Sequence, residues 1–554
     1  MATVVMDDGA WREQHGSRPG PVESLGLNGM VSSAHPVAAA IGVSVLQSGG
    51  NAIDAAIAVA AAEGVVLPAS CGLGGDAFVL VYDPKDGKVT GFNGSGVAGK
   101  HATRERYVEA GLSKMPLNGI HSISVPGGVA VYEKLWQTYG TKPWADLWQP
   151  AIRLADKGVV INSRVSRHIA NRAGVLGGFE WSAKQWLPGG QAPAGGSVWS
   201  APNLANSLRA VAEGGAETFY RGALAERIVR YLEAEGGPFV ADDFARQQCE
   251  VYDPIRTTYK DVTVLQTNPV SQGFLMLEQL NILEGLGLED LSLLSADRLH
   301  YLVEAKKRAF EDRNLVAGDP AFVNWDLHRL VSKEHAAGRR ATIDRARAYD
   351  PARPLVAEHS GDTSYFCVAD GSGMAVSFIH SLSAAFGSGV VAGDTGITLN
   401  NRAGRGFSLE AGHPNVVEPG KRTMHTLNAY LCLKDGAAWL VGGTPGGDQQ
   451  TQVNTQVLTS IVDQGLGVRD ALEVPRWFSF PGTDPATIDR ATSIVVEDRV
   501  PEATRRELES RGHVLDVQGP WGGGGAVQLI ELDRSTGTLR GASDPRAGGV
   551  ALGI

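Results

Sequence analysis

Cysteine is scarce in this 554-residue chain: there are four, Cys71, Cys249, Cys367 and Cys432, with no CxxC or Cys/His ligand spacing. Four thiols spread this widely cannot form a disulfide framework, which favours a reducing compartment. Long runs of consecutive basic residues are also missing, the longest being Lys306-Lys307-Arg308, and the net charge is −10. Nucleic-acid binding therefore has no electrostatic footing. The N-terminus, Met1 to Asp8, has neither a basic region nor an apolar core of signal-peptide length. The most apolar window, Ala52 to Leu67, carries Asp54 and Glu63 and is too short to span a bilayer. These absences lead us to expect a cytoplasmic protein with neither membrane nor nucleic-acid partners. Familiar catalytic signatures are missing too: no GxSxG, HExxH or GxxxxGK[ST] occurs. The 13 histidines contain no i,i+4 ligand pair. We expect neither a metal nor a cofactor.

Glycine, in contrast, is abundant. The chain has 70, about twice the usual share, without a collagen period and beside 43% hydrophobic residues. That combination excludes collagen and disorder and leaves a large folded unit. Pro36 to Gln47 has helical spacing, with proline at its start and Gly49-Gly50 beyond its end. Asn51, with Asp54 three residues on, can cap a second, alanine-rich helix. Cys71 to Asp76 is a glycine-rich turn ahead of Ala77–Tyr82, a near-continuous apolar run that reads as a strand buried on both faces. Because the turn precedes a strand, a phosphate cradle is excluded; a tight turn packed near a site is expected. Lys88 to Asn93 returns as a second strand. Residues 129–170 and 205–235 alternate helical patterns with Gly/Pro loops. Ser295 to Asn314 reads as an amphipathic helix with Arg308, Asp312 and Arg313 on its outer side. Arginine-rich residues 336–362 read as a loop or linker. A hairpin turning at Gly371-Ser372-Gly373, a second at 427–443, a helix at 450–465 and a strand pair near 526–541 follow. No internal repeat or low-complexity tract is visible. Helices flanking antiparallel strands predict a layered α+β sandwich.

The junction between linker and strand carries distinctive chemistry. The polar stretch ends at Gly361-Asp362, and Thr363 opens a core strand. If the Asp362–Thr363 bond breaks, Thr363 gains a free α-amine beside its hydroxyl. An amine of pKa about 7.7–8.0 can act as base for that hydroxyl without a histidine. Threonine opens many strands, so the junction alone reads as an ordinary strand start.

Ordered blocks along the whole chain add to that reading. They include Gly29–Pro36, Gly49–Ala56, Gly72–Asp76, Val125–Gly128, Asn268–Gly273, Ala309–Arg313 with Gly318–Pro320, Phe386–Gly389, Gly443–Asp448 and Gly541–Arg546. By these blocks the chain closely resembles the γ-glutamyltranspeptidase family of N-terminal-nucleophile hydrolases. The resemblance implies an αββα precursor that cleaves itself between Asp362 and Thr363. Residues 1–362 would form a large chain and 363–554 a small one, together one catalytic unit. Thr363 matches the nucleophile and Ser381 a supporting hydroxyl. Gly446 and Gly447 match paired glycines whose N–H groups face the tetrahedral oxyanion. A homo-oligomer is compatible with the sequence.

Departures from the family pattern concern amino-acid recognition. Asn93, not arginine, follows Phe92, so the bidentate carboxylate clamp is missing. Asn400-Asn401 leads into Arg402-Ala403-Gly404-Arg405, with no acid and two added cations. His425 and Thr426 occupy the paired-serine positions, and Ser383 replaces an asparagine. The lid insertion after Pro414–Val417 is shortened. The resemblance thus implies a small amide other than a γ-glutamyl one as substrate, with water or an amine as acceptor. Asn93, Asn401, Arg402, His425 and Thr426 are the substrate-binding candidates. Arg402 and Arg405, with His425, suit an acyl group bearing a carboxylate, such as a dicarboxylic monoamide like oxamate or a glutaryl side chain; an exposed loop explains both arginines equally. Two alternatives stand beside this one. One is an ordinary γ-glutamyl transpeptidase or glutathione hydrolase; the other is an unprocessed, inactive binding protein.

Overall fold

The computed structural model describes residues 23–349, 361–482 and 492–554. The N-terminal leader and the part of the expected linker at 350–360 lie outside these described residues. Two seven-stranded antiparallel sheets form the centre. In the first the strands run Val550–Gly553, Gly29–Ser33, Gly361–Asp370, Ala375–Ala384, Asp76–Asp83, Lys88–Asn93 and Glu250–Tyr252. In the second they run Ser24–Gly26, Thr538–Ser543, Gln528–Asp533, Ala437–Gly443, Tyr430–Lys434, Val262–Gln266 and Ile255–Tyr259. Each sheet mixes strands from before and after residue 363.

Three apolar cores separate four layers. One lies between the sheets, where Phe78, Leu80, Tyr365, Ile379, Leu431, Val441 and Ile530 meet. A second packs helices Pro36–Gln47, Ala52–Val66, Gly128–Tyr139, Trp144–Lys157 and Pro202–Tyr220 on the first sheet. A third packs helices Phe274–Leu283, Ala296–Val316 and Gln449–Val462 on the second. The fold is an αββα sandwich. Strands with cores on both sides must be apolar on both faces, which explains why Asp76–Tyr82 is buried throughout.

Local signals were sound. Asn51 and Asp54 form a reciprocal capping box, each side-chain oxygen accepting the other's backbone N–H at 3.0 Å. Gly75 permits a close approach: a Cβ there would lie 2.5 Å from the Ser381 carbonyl oxygen. Among the described residues no helix is long and apolar enough to cross a membrane.

Two expectations are corrected. Helix Ala296–Val316 has no polar outer side where expected: Arg308, Asp312 and Arg313 are all buried. Glu304 pairs with Lys307 and Arg308, and Asp312 with Arg339 and His335, so internal ion pairs substitute for water. Residues 336–362 are not loop throughout, since Lys333–Arg340 is a helix capped by Ser332.

Candidate active site

The strand Gly361–Asp370 pairs with Ala375–Ala384, and its register shifts at the end that carries Thr363. Asp362 lies opposite Ser383, and Ser364 lies opposite His380. Ser381 and Leu382 therefore face the single residue Thr363, a bulge that re-aims side chains. The result is a 2.9 Å contact between Thr363 Oγ1 and Ser381 Oγ. Ser381 Oγ also accepts the Ser383 N–H at 2.7 Å, with Ser383 held at φ +85°. Both hydroxyl residues are buried.

The glycine pair lies where the second sheet hands over to a helix. Strand Ala437–Gly443 ends, and Gly446 and Gly447 lead into helix Gln449–Val462. Their φ values, +127° and +59°, are ones that side chains resist. Their carbonyls accept from Gln449 and Gln450 in the first helical turn. Backbone N–H groups at a helix start carry partial positive charge, which suits a developing oxyanion.

Arg405 connects the two halves. Its Nη1 donates to the Ser383 carbonyl at 2.5 Å, and its Nη2 lies 3.7 Å from where a Gly447 Cβ would be. Arg402 is buried beside it, so the reading of both as an exposed loop is overturned. Asp76, which pairs in register with Ser381, faces Arg402 Nε at 3.5 Å and His425 Nδ1 at 3.9 Å. Burial lifts the Asp76 carboxyl to about 7, with Arg402 opposing the rise. Burial, reinforced by Arg402, Arg422 and Arg313, pushes His425 far below its usual value. His425 is therefore a neutral imidazole and adds no cation. Burial also lowers Arg313 and Arg405 to about 10.

The remaining candidates are tied into the scaffold. Asn93 donates to Glu250 at 2.9 Å and accepts the Ser95 N–H at 2.8 Å. Asn401 accepts from the Ala384 N–H and donates to the Leu117 carbonyl. The Thr426 carbonyl accepts from Gln272 and Asn428. Asp76 and Arg313 escaped sequence reasoning. The acid ending the glycine turn was a usable signal for Asp76; none pointed Arg313 inward.

Among the described residues, three groups bring metal-ligating atoms together: Glu63, Cys71 and His380; His300, Glu304 and His513; and Glu278, Asp312 and His335. Sequence spacing did not reveal them. Each already has internal partners: His380 for Glu63, Lys307 and Arg308 for Glu304, and Arg339 for Asp312.

Residues 38–554 match the family model described as gamma-glutamyltranspeptidase. The chain is 38% identical to the glutathione hydrolase-like YwrD proenzyme of Bacillus subtilis, over 96% of this chain and 99% of that one. It is 34% identical to the oxamate amidohydrolase proenzyme of Klebsiella pneumoniae, again over 96% and 99%. A crystal structure of cephalosporin acylase from Bacillus halodurans superposes with a TM-score of 0.89 at 34% identity, covering 97% of this chain and 98% of that one.

Proposed function

The chain belongs to the gamma-glutamyltranspeptidase family, an enzyme family, and we propose that it is an autoprocessed amidohydrolase whose acyl substrate carries a carboxylate. The observation that carries this reading is the paired hydroxyls of Thr363 and Ser381, with buried Arg405 reaching from Ser383 to Gly447. In maturation the Thr363 hydroxyl attacks the Asp362 carbonyl, the peptide nitrogen departs as an amine, and water hydrolyses the resulting ester. Residues 363–554 then begin with a free threonine.

In turnover that α-amine accepts the hydroxyl proton as Oγ1 attacks the substrate carbonyl. The Gly446 and Gly447 N–H groups stabilise the oxyanion. The amine or ammonia leaves with the transferred proton, and water releases the acid from the acyl-threonine. Arg402 and Arg405 attract the substrate's carboxylate. Asp76 takes the Nε side of Arg402 and leaves Nη2, which has no hydrogen-bond partner among the described residues, for a ligand. The oxamate amidohydrolase and cephalosporin acylase relatives support a substrate of this class.

A denaturing gel with N-terminal sequencing tests maturation: the smaller band should begin Thr-Ser-Tyr-Phe-Cys, and Thr363→Ala should stay intact and inactive. Cleavage of the alanine variant at 362/363 would refute the assignment. Activity on dicarboxylic monoamides should exceed that on γ-glutamyl-p-nitroanilide; the reverse order favours the glutathione-hydrolase alternative.

A further inference from the structure

Behind the Thr363–Ser381 pair, on the helix side of the first sheet, lies a carboxylate that the proposed chemistry does not use. Glu63 belongs to the alanine-rich helix Ala52–Val66 and is completely buried. Its Oε1 accepts from Ser33 Oγ at 2.6 Å. Its Oε2 accepts from Ser364 Oγ at 2.6 Å and lies 2.8 Å from His380 Nε2. The other ring nitrogen of His380 is 3.1 Å from the Tyr132 hydroxyl. One carboxylate thus ties together three adjacent strands, Gly29–Ser33, Gly361–Asp370 and Ala375–Ala384.

The positions of these contacts are informative. Ser364 is the chain neighbour of Thr363, and His380 is the chain neighbour of Ser381. Successive side chains of a strand point to opposite faces. Gripping Ser364 and His380 from the helix layer therefore fixes the backbone that aims Thr363 and Ser381 toward the other face. At this end the ladder is irregular, since the register shifts between Asp362 and Ser364. Regular pairing does not set the geometry of the hydroxyls there. A leucine at position 63 would suit the apolar helix–sheet core, and a buried charge is a poor source of stability.

We propose that Glu63 is a positioning residue for the two hydroxyls, acting through Ser364 and His380; this rests on the reading of Thr363 as nucleophile. A purely structural role predicts a different pattern, because Ser33 bonds the same carboxylate from a strand that carries neither hydroxyl.

The test compares Ser364→Ala, Ser33→Ala and Glu63→Gln in the full chain, measuring processing half-time, kcat, KM and Tm. Positioning predicts that Ser364→Ala and Glu63→Gln slow both processing and kcat about 10–100-fold with KM within twofold. Ser33→Ala should lower Tm by a similar amount and keep kcat within twofold. Adding Glu63→Gln to Ser364→Ala should lower kcat little further, because the two share one link. Equal kcat for Ser33→Ala and Ser364→Ala, or kcat within twofold of the parent in either Ser364→Ala or Glu63→Gln, overturns the inference. Should Glu63→Gln fail to fold, the two serine variants decide alone. An active Thr363→Ala variant would sink the nucleophile reading; an inactive one beside an unimpaired Ser364→Ala sinks only this inference.

Discussion

Removing the hydroxyl of Ser381 breaks two hydrogen bonds whose consequences can be worked from distances. In Ser381→Ala, Thr363 Oγ1 loses a 2.9 Å partner and the Ser383 N–H loses its 2.7 Å acceptor. A lost neutral hydrogen bond costs about 1 kcal/mol, and a buried unsatisfied N–H about 1–3 kcal/mol. Unfolding entropy near 2.1 cal/mol/K per residue over 554 residues is about 1.2 kcal/mol/K, so Tm should fall by only about 2–3 °C. The kinetic effect should be larger in proportion. In the proposed chemistry the Ser381 hydroxyl supports Thr363 Oγ1, so its loss should appear in kcat with KM within twofold. A positioning loss of about 1.4–2.8 kcal/mol is 10–100-fold in rate. Steady-state kinetics with a dicarboxylic monoamide, alongside a melting curve, reads both quantities. Ser381→Thr keeps the hydroxyl and should restore kcat to within about threefold. A Ser381→Ala enzyme with unchanged kcat but lowered Tm would show that the contact is scaffold, not chemistry.

Further predictions follow from the same geometry. Gly446→Ala places a side chain at φ +127° with Gln449 side-chain atoms 3.4 Å from the new Cβ; kcat should drop about 100–1,000-fold, as for loss of an oxyanion donor, and more than for Gly447→Ala at φ +59°. Arg402→Met should reduce the preference for a carboxylate-bearing amide over its neutral analogue about 10–100-fold, since bonds to charged groups contribute about 1.5–3 kcal/mol, whereas equal selectivity in the variant would clear Arg402 of that role. Asp76, with its carboxyl near 7, is neutral in acid and leaves Arg402 uncompensated, then ionises and competes for the guanidinium as pH rises. KM for an anionic amide should therefore rise between pH 6 and 8 while that for a neutral amide stays level, and Asp76→Asn should flatten the difference. For stability the sign is the same: the raised folded pKa means that the native state holds the proton longer than the unfolded chain, so the Asp76 contribution declines as pH rises from about 4 through 7.

Most of the layer order was legible because its signals are local or periodic. Asn51 and Asp54 cap a helix through atoms three residues apart, and Gly371-Ser372-Gly373 joins two strands that pair with each other. The unbroken apolar run after Asp76 could only lie between two cores. Helix Ala296–Val316 misled because Glu304, Lys307, Arg308 and Asp312 find ion-pair partners inside the protein, a solution that periodicity reads as solvent exposure. The same limit hid Arg313 and made the burial of Arg402 undecidable. A cation's burial depends on a partner such as Asp76, far away in the chain.

The sequence by itself determined most of the helices, the hairpins, the strand that carries Thr363 and the family to which the chain belongs. Capping, turns and alternation act over a few residues and need no fold to be read. Only the tertiary structure decided what surrounds that threonine. Ser381 reaches it through a register shift. Arg405 spans from Ser383 to Gly447, and Glu63 grips the strands from behind. Those contacts join segments brought together by sheet order, and the balance of burial against pairing that governs their charges exists only once the layers have closed.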